Sequence, residues 1–135
     1  MPALYLDTSA VLRAILEGGT SPGIETKIRA AEVLLTSRLS IVEASRAIHR
    51  LRQLGQLSET RLADAEREVE SLWARCVLWE LTPAVCEMAR RVAPSKLLRT
   101  LDALHLATFV LARQRIGDLE LVTADERLQA AAEGF

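Results

Sequence analysis

Four carboxylates stand where solvated acids do not ordinarily stand. Asp7 comes directly after the apolar run Ala3-Leu4-Tyr5-Leu6. Glu43 is flanked by Ile41, Val42 and Ala44. Asp102 lies inside the apolar segment Leu101-Asp102-Ala103-Leu104-His105-Leu106-Ala107, and Asp125 comes two residues after Thr123, at the end of another apolar run. Gathered unpaired in a partly buried pocket, such charges are costly or forced to protonate. A hard divalent cation with oxygen ligands relieves that cost. Mg²⁺ or Mn²⁺ does so with a few carboxylates, several waters and substrate phosphate oxygens. Such a cation lowers the pKa of a bound water and neutralises charge on a phosphodiester being cut. Asp7, Glu43, Asp102 and Asp125 are therefore the candidate catalytic residues and the candidate metal ligands.

Each acid also has an ordinary reading. Asp7 and Asp125 suit helix N-caps. Glu43 has Arg46 and Arg50 further along its helix, and Asp102 has Arg99 three residues before it. Four acids on apolar elements, three of them after strands or at helix starts facing one sheet edge, are hard to explain as four separate caps.

The elements that must position these residues alternate in type. Apolar runs at 3–6, 33–36, 76–81 and 120–123 read as buried strands. Between them lie amphipathic helical patterns at 8–17, from Ser21-Pro22, at 40–54, from Ser58, from Thr82-Pro83 through Val92, at 101–115 and at 124–133. Gly55 ends the third helix and Pro94 breaks the fifth. In the 101–115 helix, Leu101, Leu104, Thr108 and Leu111 align as the apolar stripe. This alternation predicts an α/β fold of three layers, with a mainly parallel central sheet of four to five strands and helices on both faces. Ligands of such sheets sit beyond the carboxyl ends of the strands, where Asp7 and Asp125 fall.

Composition sets outer limits. The 135 residues suffice for one domain, 1–135, with a core of its own. Seventeen Lys and Arg oppose 18 Asp and Glu, for a net charge of -1, which argues against a protein that holds nucleic acid by bulk basicity. Acids are skewed towards Glu; only five are Asp, and three of those five belong to the candidate site. Cys76 and Cys86 lack both a disulfide framework and zinc-ligand spacing, so a reducing cytoplasm is expected. No signal peptide and no membrane-spanning run is expected either. His105 reads as a packed helix histidine, His49 as peripheral, Glu126 as solvent-facing, and Trp73 and Trp79 as core or interface anchors. Ser9 has no elbow motif or base to make it a nucleophile. A response-regulator type phosphoryl-transfer site is disfavoured because Ser9 stands where its second Asp belongs.

At these residues the sequence resembles PIN-domain ribonucleases, and most closely the VapC-type toxins of type II toxin–antitoxin pairs. The matching segments are LYLDTSAV (4–11), SRLSIVEASRA (37–47), RTLDALHLAT (99–108) and LVTADERL (121–128). The resemblance implies a single PIN domain and a Mg²⁺- or Mn²⁺-dependent endoribonuclease. Asp7 and Asp102 would be direct ligands, and Glu43 and Asp125 would complete the site. Thr8, Ser9 and Thr123 would support the carboxylates by hydrogen bonds. It also implies an RNA substrate (tRNA, rRNA or mRNA), a cognate small antitoxin protein, a homodimer, and RNA ends bearing 5′-phosphate and 3′-hydroxyl. Relatives often continue into a short fifth strand beyond Ala132-Glu133-Gly134-Phe135. Two alternatives stay open: a PIN nuclease of RNA processing without an antitoxin, and a non-catalytic PIN-like binding module. Arg13, Arg38, Arg46 and Arg99, with Arg50 and Lys96, lie on elements that lead into or flank the site, and a local basic rim can hold an RNA backbone without overall basicity.

Overall fold

The computed structural model describes residues 2–135. Its chain runs β1 (Ala3–Leu6), α1 (Thr8–Leu16), α2 (Pro22–Ala30), β2 (Val33–Ser37), α3 (Arg38–Leu54), α4 (Glu59–Arg75), β3 (Cys76–Trp79), α5 (Pro83–Ala89), α6 (Thr100–Arg115), β4 (Glu120–Val122) and α7 (Glu126–Ala132). Four parallel strands form one sheet in the order β3-β2-β1-β4. Four strands lie within the expected range of four to five.

Period-2 alternation along the short strands divides the interior into two cores. Leu4 and Leu6 of β1, Leu34 of β2 and Val122 of β4 face one side, where Val11, Ala44, Ile48, Leu62, Val69 and Trp73 of α1, α3 and α4 pack on them. Ala3 and Tyr5 of β1, Leu35 of β2 and Leu121 of β4 face the other side, against Leu106, Phe109 and Ala112 of α6 and Leu128 of α7. Strands covered on both faces have no wet side, which is why β1, β2 and β4 read as continuous apolar runs. The run at 76–81 is not the buried strand expected, since β3 ends at Trp79 at the sheet's edge and Val77 is 55% exposed. Central β1 is buried throughout. Trp73 is a core residue, and Trp79 packs more loosely against the second core. Cys76 and Cys86 are free thiols. Among the described residues no helix is long and apolar enough to cross a membrane.

Most helix ends follow the local chemistry. Ser58 and Thr82 cap α4 and α5 with side-chain bonds to Arg61 and Val85 amides. Gly55 closes α3 in the left-handed region, φ 66°, with its amide bonded to the Leu51 carbonyl. Two expectations need correction. The fifth helix stops at Ala89 rather than continuing to Val92, and the chain turns through Ala93 at φ 46° just before Pro94. The buried face of α6 is also not the expected stripe. His105, Leu106, Phe109 and Ala112 point inward with Thr108, while Leu101 is 45% exposed. His105 finds hydrogen-bond partners inside, and its inward position rotates the apolar face away from Leu101.

Candidate active site

All four sequence-predicted acids line one cleft of about 440 Å³ at the carboxyl edge of the sheet. Each comes from a different part of the chain: Asp7 from the end of β1, Glu43 from the second turn of α3, Asp102 from the first turn of α6, and Asp125 from the start of α7. Thr8, Ser9, His105, Arg46 and Arg50 share the lining, with Leu12, Leu39, Val42 and Leu101 forming apolar walls.

Asp7 is the deepest of the four, 4% exposed. It does cap α1, accepting the Ala10 amide at 3.0 Å on Oδ1. Its other partners come from the end of the neighbouring strand β4 and from α1 itself. Thr123 donates to Oδ2 at 2.6 Å, and Ser9 sits 2.8 Å from Oδ1. Both hydroxyls are themselves anchored, since Ser9 Oγ accepts the Ala124 amide at 2.9 Å and Thr123 Oγ1 accepts the Asp125 amide at 3.0 Å. Burial pushes the Asp7 carboxyl above its ordinary pKa, although bonds from Thr123, Ala10 and Ser9 and the nearby His105 pull the other way.

Asp125 caps α7, accepting the Arg127 and Leu128 amides on Oδ1 at 2.8 and 3.2 Å. Capping and cleft-lining thus coexist at Asp7 and at Asp125. Asp102 keeps only a loose pairing with Arg99, 3.8 Å away, and its side chain is 21% exposed. Burial raises its pKa, and the charges of Asp125 and Asp7 raise it further against Arg99 and His105. That repulsion on Asp102 is what neighbouring carboxylates in one cleft produce.

Glu43 pairs with neither Arg46 nor Arg50. Its Oε1 takes Thr8 Oγ1 at 2.7 Å and His105 Nε2 at 2.6 Å. Burial pushes this carboxyl up, but the bonds from His105 and Thr8 outweigh it, leaving the pKa below the ordinary value. His105 is both the packed helix histidine of the sequence reading, 2% exposed, and a direct partner of the site. Its spacing of three from Asp102 places both on adjoining turns of one α6 face, the signal that reveals it.

The basic candidates separate. Arg46 lines the cleft, joined by Arg50. Arg99 borders an adjoining hollow with Asp125, Glu126 and Arg127, where Glu126 is exposed. Arg38 is drawn elsewhere by a two-pronged bond to Glu80 at 3.0 and 2.7 Å, and Arg13 pairs with Glu17 at 2.7 Å. His49 is exposed beside Arg46 and Arg50.

Among the described residues no three His, Cys, Asp or Glu side chains are arranged to hold a metal ion by themselves. An octahedral cation that keeps most of its waters does not need such a cage. The donor set fits it: anionic oxygens only from the four acids, with the bonds on Glu43 and Asp125 concentrated on a single oxygen of each.

The PIN domain family model matches residues 4–134. Ribonuclease VapC49 of Mycobacterium tuberculosis (strain ATCC 25618 / H37Rv) is 34% identical over 134 residues, covering 98% of this chain and 90% of the relative. Ribonuclease VapC46 of the same strain is 32% identical over 135 residues, covering 98% and 92%. Among solved structures, PAE2754 from Pyrobaculum aerophilum superposes with a TM-score of 0.69 at 25% identity, covering 98% of this chain and 81% of that one. VapBC2 from Rickettsia felis, bound to a DNA fragment from their promoter, gives a TM-score of 0.61 at 12% identity, covering 91% and 99%, a likeness of fold.

Proposed function

The chain belongs to the PIN domain family, and from that premise we propose that it is a metal-dependent endoribonuclease, the toxin of a toxin–antitoxin pair. One observation carries the reading: four carboxylates from four separate elements line a single cleft at the carboxyl edge of a parallel sheet. The curated relatives named as VapC ribonucleases, matched over nearly the whole chain, support the same chemistry.

When bound, Mg²⁺ or Mn²⁺ supplies a water of lowered pKa and positive charge against the phosphodiester. Asp7 and Asp102 would hold the cation, with Glu43 and Asp125 completing its shell. Ser9 and Thr123 hold the Asp7 carboxylate in one orientation before a cation is loaded. The Thr8 hydroxyl does the same for Glu43. Arg46 and Arg50 on one bank and Arg99 on the other offer guanidinium groups to phosphates flanking the cut. The products would carry 5′-phosphate and 3′-hydroxyl ends.

A small antitoxin protein, a homodimer and a cytoplasmic setting belong to the same proposal. The test is direct. Purified chain freed of any partner should cleave RNA with Mg²⁺ or Mn²⁺, stop on EDTA addition, and resume when metal is restored. Cleavage that persists undiminished in excess EDTA, or in Asp7→Asn, would sink it. Mapping RNA ends after induction in cells identifies the target.

A further inference from the structure

Glu43 is not left to find its own orientation. Its Oε1 is taken by His105 Nε2 at 2.6 Å, and the imidazole is held from behind, with Nδ1 2.8 Å from the Tyr5 hydroxyl. Tyr5 is completely buried. The bonds therefore run from the central strand to α6 and then to α3, passing from one helix layer to the other at the sheet's carboxyl edge. A carboxylate only accepts, so Nε2 carries the proton in this bond. With the proton on Nε2, Nδ1 is the ring's acceptor, and the buried Tyr5 hydroxyl satisfies it by donating at 2.8 Å.

A merely packed histidine would not require a glutamate partner from another layer. The need is visible on α3 itself. Arg46 stands one turn beyond Glu43 and lines the same cleft, a ready competitor for a mobile carboxylate. We propose that His105, backed by Tyr5, is a positioning residue: it fixes Glu43 Oε1, keeps the side chain from Arg46, and turns the other oxygen to the cleft. This proposal rests on the ribonuclease reading and adds to it a residue outside the four acids.

The experiment compares His105→Leu, His105→Gln and Tyr5→Phe with wild type. It measures Mn²⁺ affinity by calorimetry without RNA, kcat and KM on RNA at saturating metal, and melting temperature. Gln is chosen because its amide nitrogen sits near the Nε2 position and can donate. His105→Leu should weaken Mn²⁺ binding and lower kcat by about 10- to 100-fold, with KM for RNA little changed. His105→Gln should recover most of both, and Tyr5→Phe should fall between Leu and wild type. If His105→Leu fails to fold, the Gln and Phe variants decide, since each keeps a packed side chain. Wild-type Mn²⁺ affinity in a folded His105→Leu or in Tyr5→Phe overturns the proposal. So does His105→Gln performing no better than a folded His105→Leu. A wild type that binds Mn²⁺ but cuts no RNA sinks the ribonuclease reading instead, and the metal titration still judges His105.

Discussion

Thr123 donates its hydroxyl proton to Asp7 at 2.6 Å across 116 residues of sequence. The same oxygen accepts the Asp125 amide at 3.0 Å. One hydroxyl thereby fixes the deepest acid of the cleft and the backbone of a second acid. Thr123→Val keeps the shape and removes both bonds. Its Mn²⁺ affinity and RNA cleavage rate should each fall about 10- to 100-fold, the usual cost of losing such a support. Thr123→Ser should restore most of that loss in the same assays.

Asp7→Asn should abolish cleavage yet raise the melting temperature of the metal-free protein at neutral pH by a few degrees. The folded-state pKa of Asp7 is raised by burial. A raised carboxyl contributes stability that is fully present below its unfolded pKa and lost as pH rises through its folded pKa. At neutral pH the ionised group is therefore a liability that Asn removes. The thermal advantage of Asp7→Asn should shrink as pH falls through the folded pKa of Asp7. An advantage that grows on acidification would contradict the assignment.

Metal should reverse that order. Divalent cation binds the folded state and stabilises it by mass action. Adding Mn²⁺ should raise the melting temperature of wild type progressively with concentration and leave that of Asp7→Asn nearly unchanged. Scanning fluorimetry over a metal series reads both.

Arg46→Ala and Arg50→Ala should weaken RNA binding without changing which sequence is preferred, because phosphate contacts carry no sequence information. Measured by filter binding in an Asp102→Asn background, each should lower the slope of log affinity against log salt by about 0.7. Arg67→Ala, whose partner is Asp64 on the exposed side of α4, should leave the slope as it was.

Gly55→Ala should lower stability by about 1 kcal/mol, the cost of a Cβ in the left-handed region. Space is not the issue, because an added Cβ meets nothing within 4 Å there. The melting temperature should drop by roughly 3 to 5 °C.

The four acids were legible because their anomaly is local: an acid in an apolar run is visible without knowing the fold. The strands were legible for the same reason, and the helices through their periodicity. What escaped depended on partners distant in sequence. The pattern around Glu43 offered Arg46 and Arg50 on its own helix, yet the carboxylate turns to His105, 62 residues away. The stripe through Leu101, Leu104, Thr108 and Leu111 counts hydrophobicity alone. It cannot show that a polar ring bonded to buried Tyr5 and half-buried Glu43 turns α6 so that Leu101 lies at the mouth of the cleft. Arg38 lies on an element leading into the site, but the exposed Glu80 beyond β3 holds it. An arginine of this kind is placed by its acid and not by its own position in sequence.

The central strand is only four residues long, yet Leu4 and Leu6 serve one core, Ala3 and Tyr5 serve the other, and the very next residue is Asp7. No residue of the segment 3–7 has a solvent-facing role to fall back on. In evolutionary terms this is where drift has least freedom: a change of size disturbs a core, and a shift by one residue exchanges the two cores and misplaces Asp7. Under the proposed toxin activity, selection for escape from it should collect loss-of-function substitutions densely in these five positions and sparsely along the exposed outer face of α4.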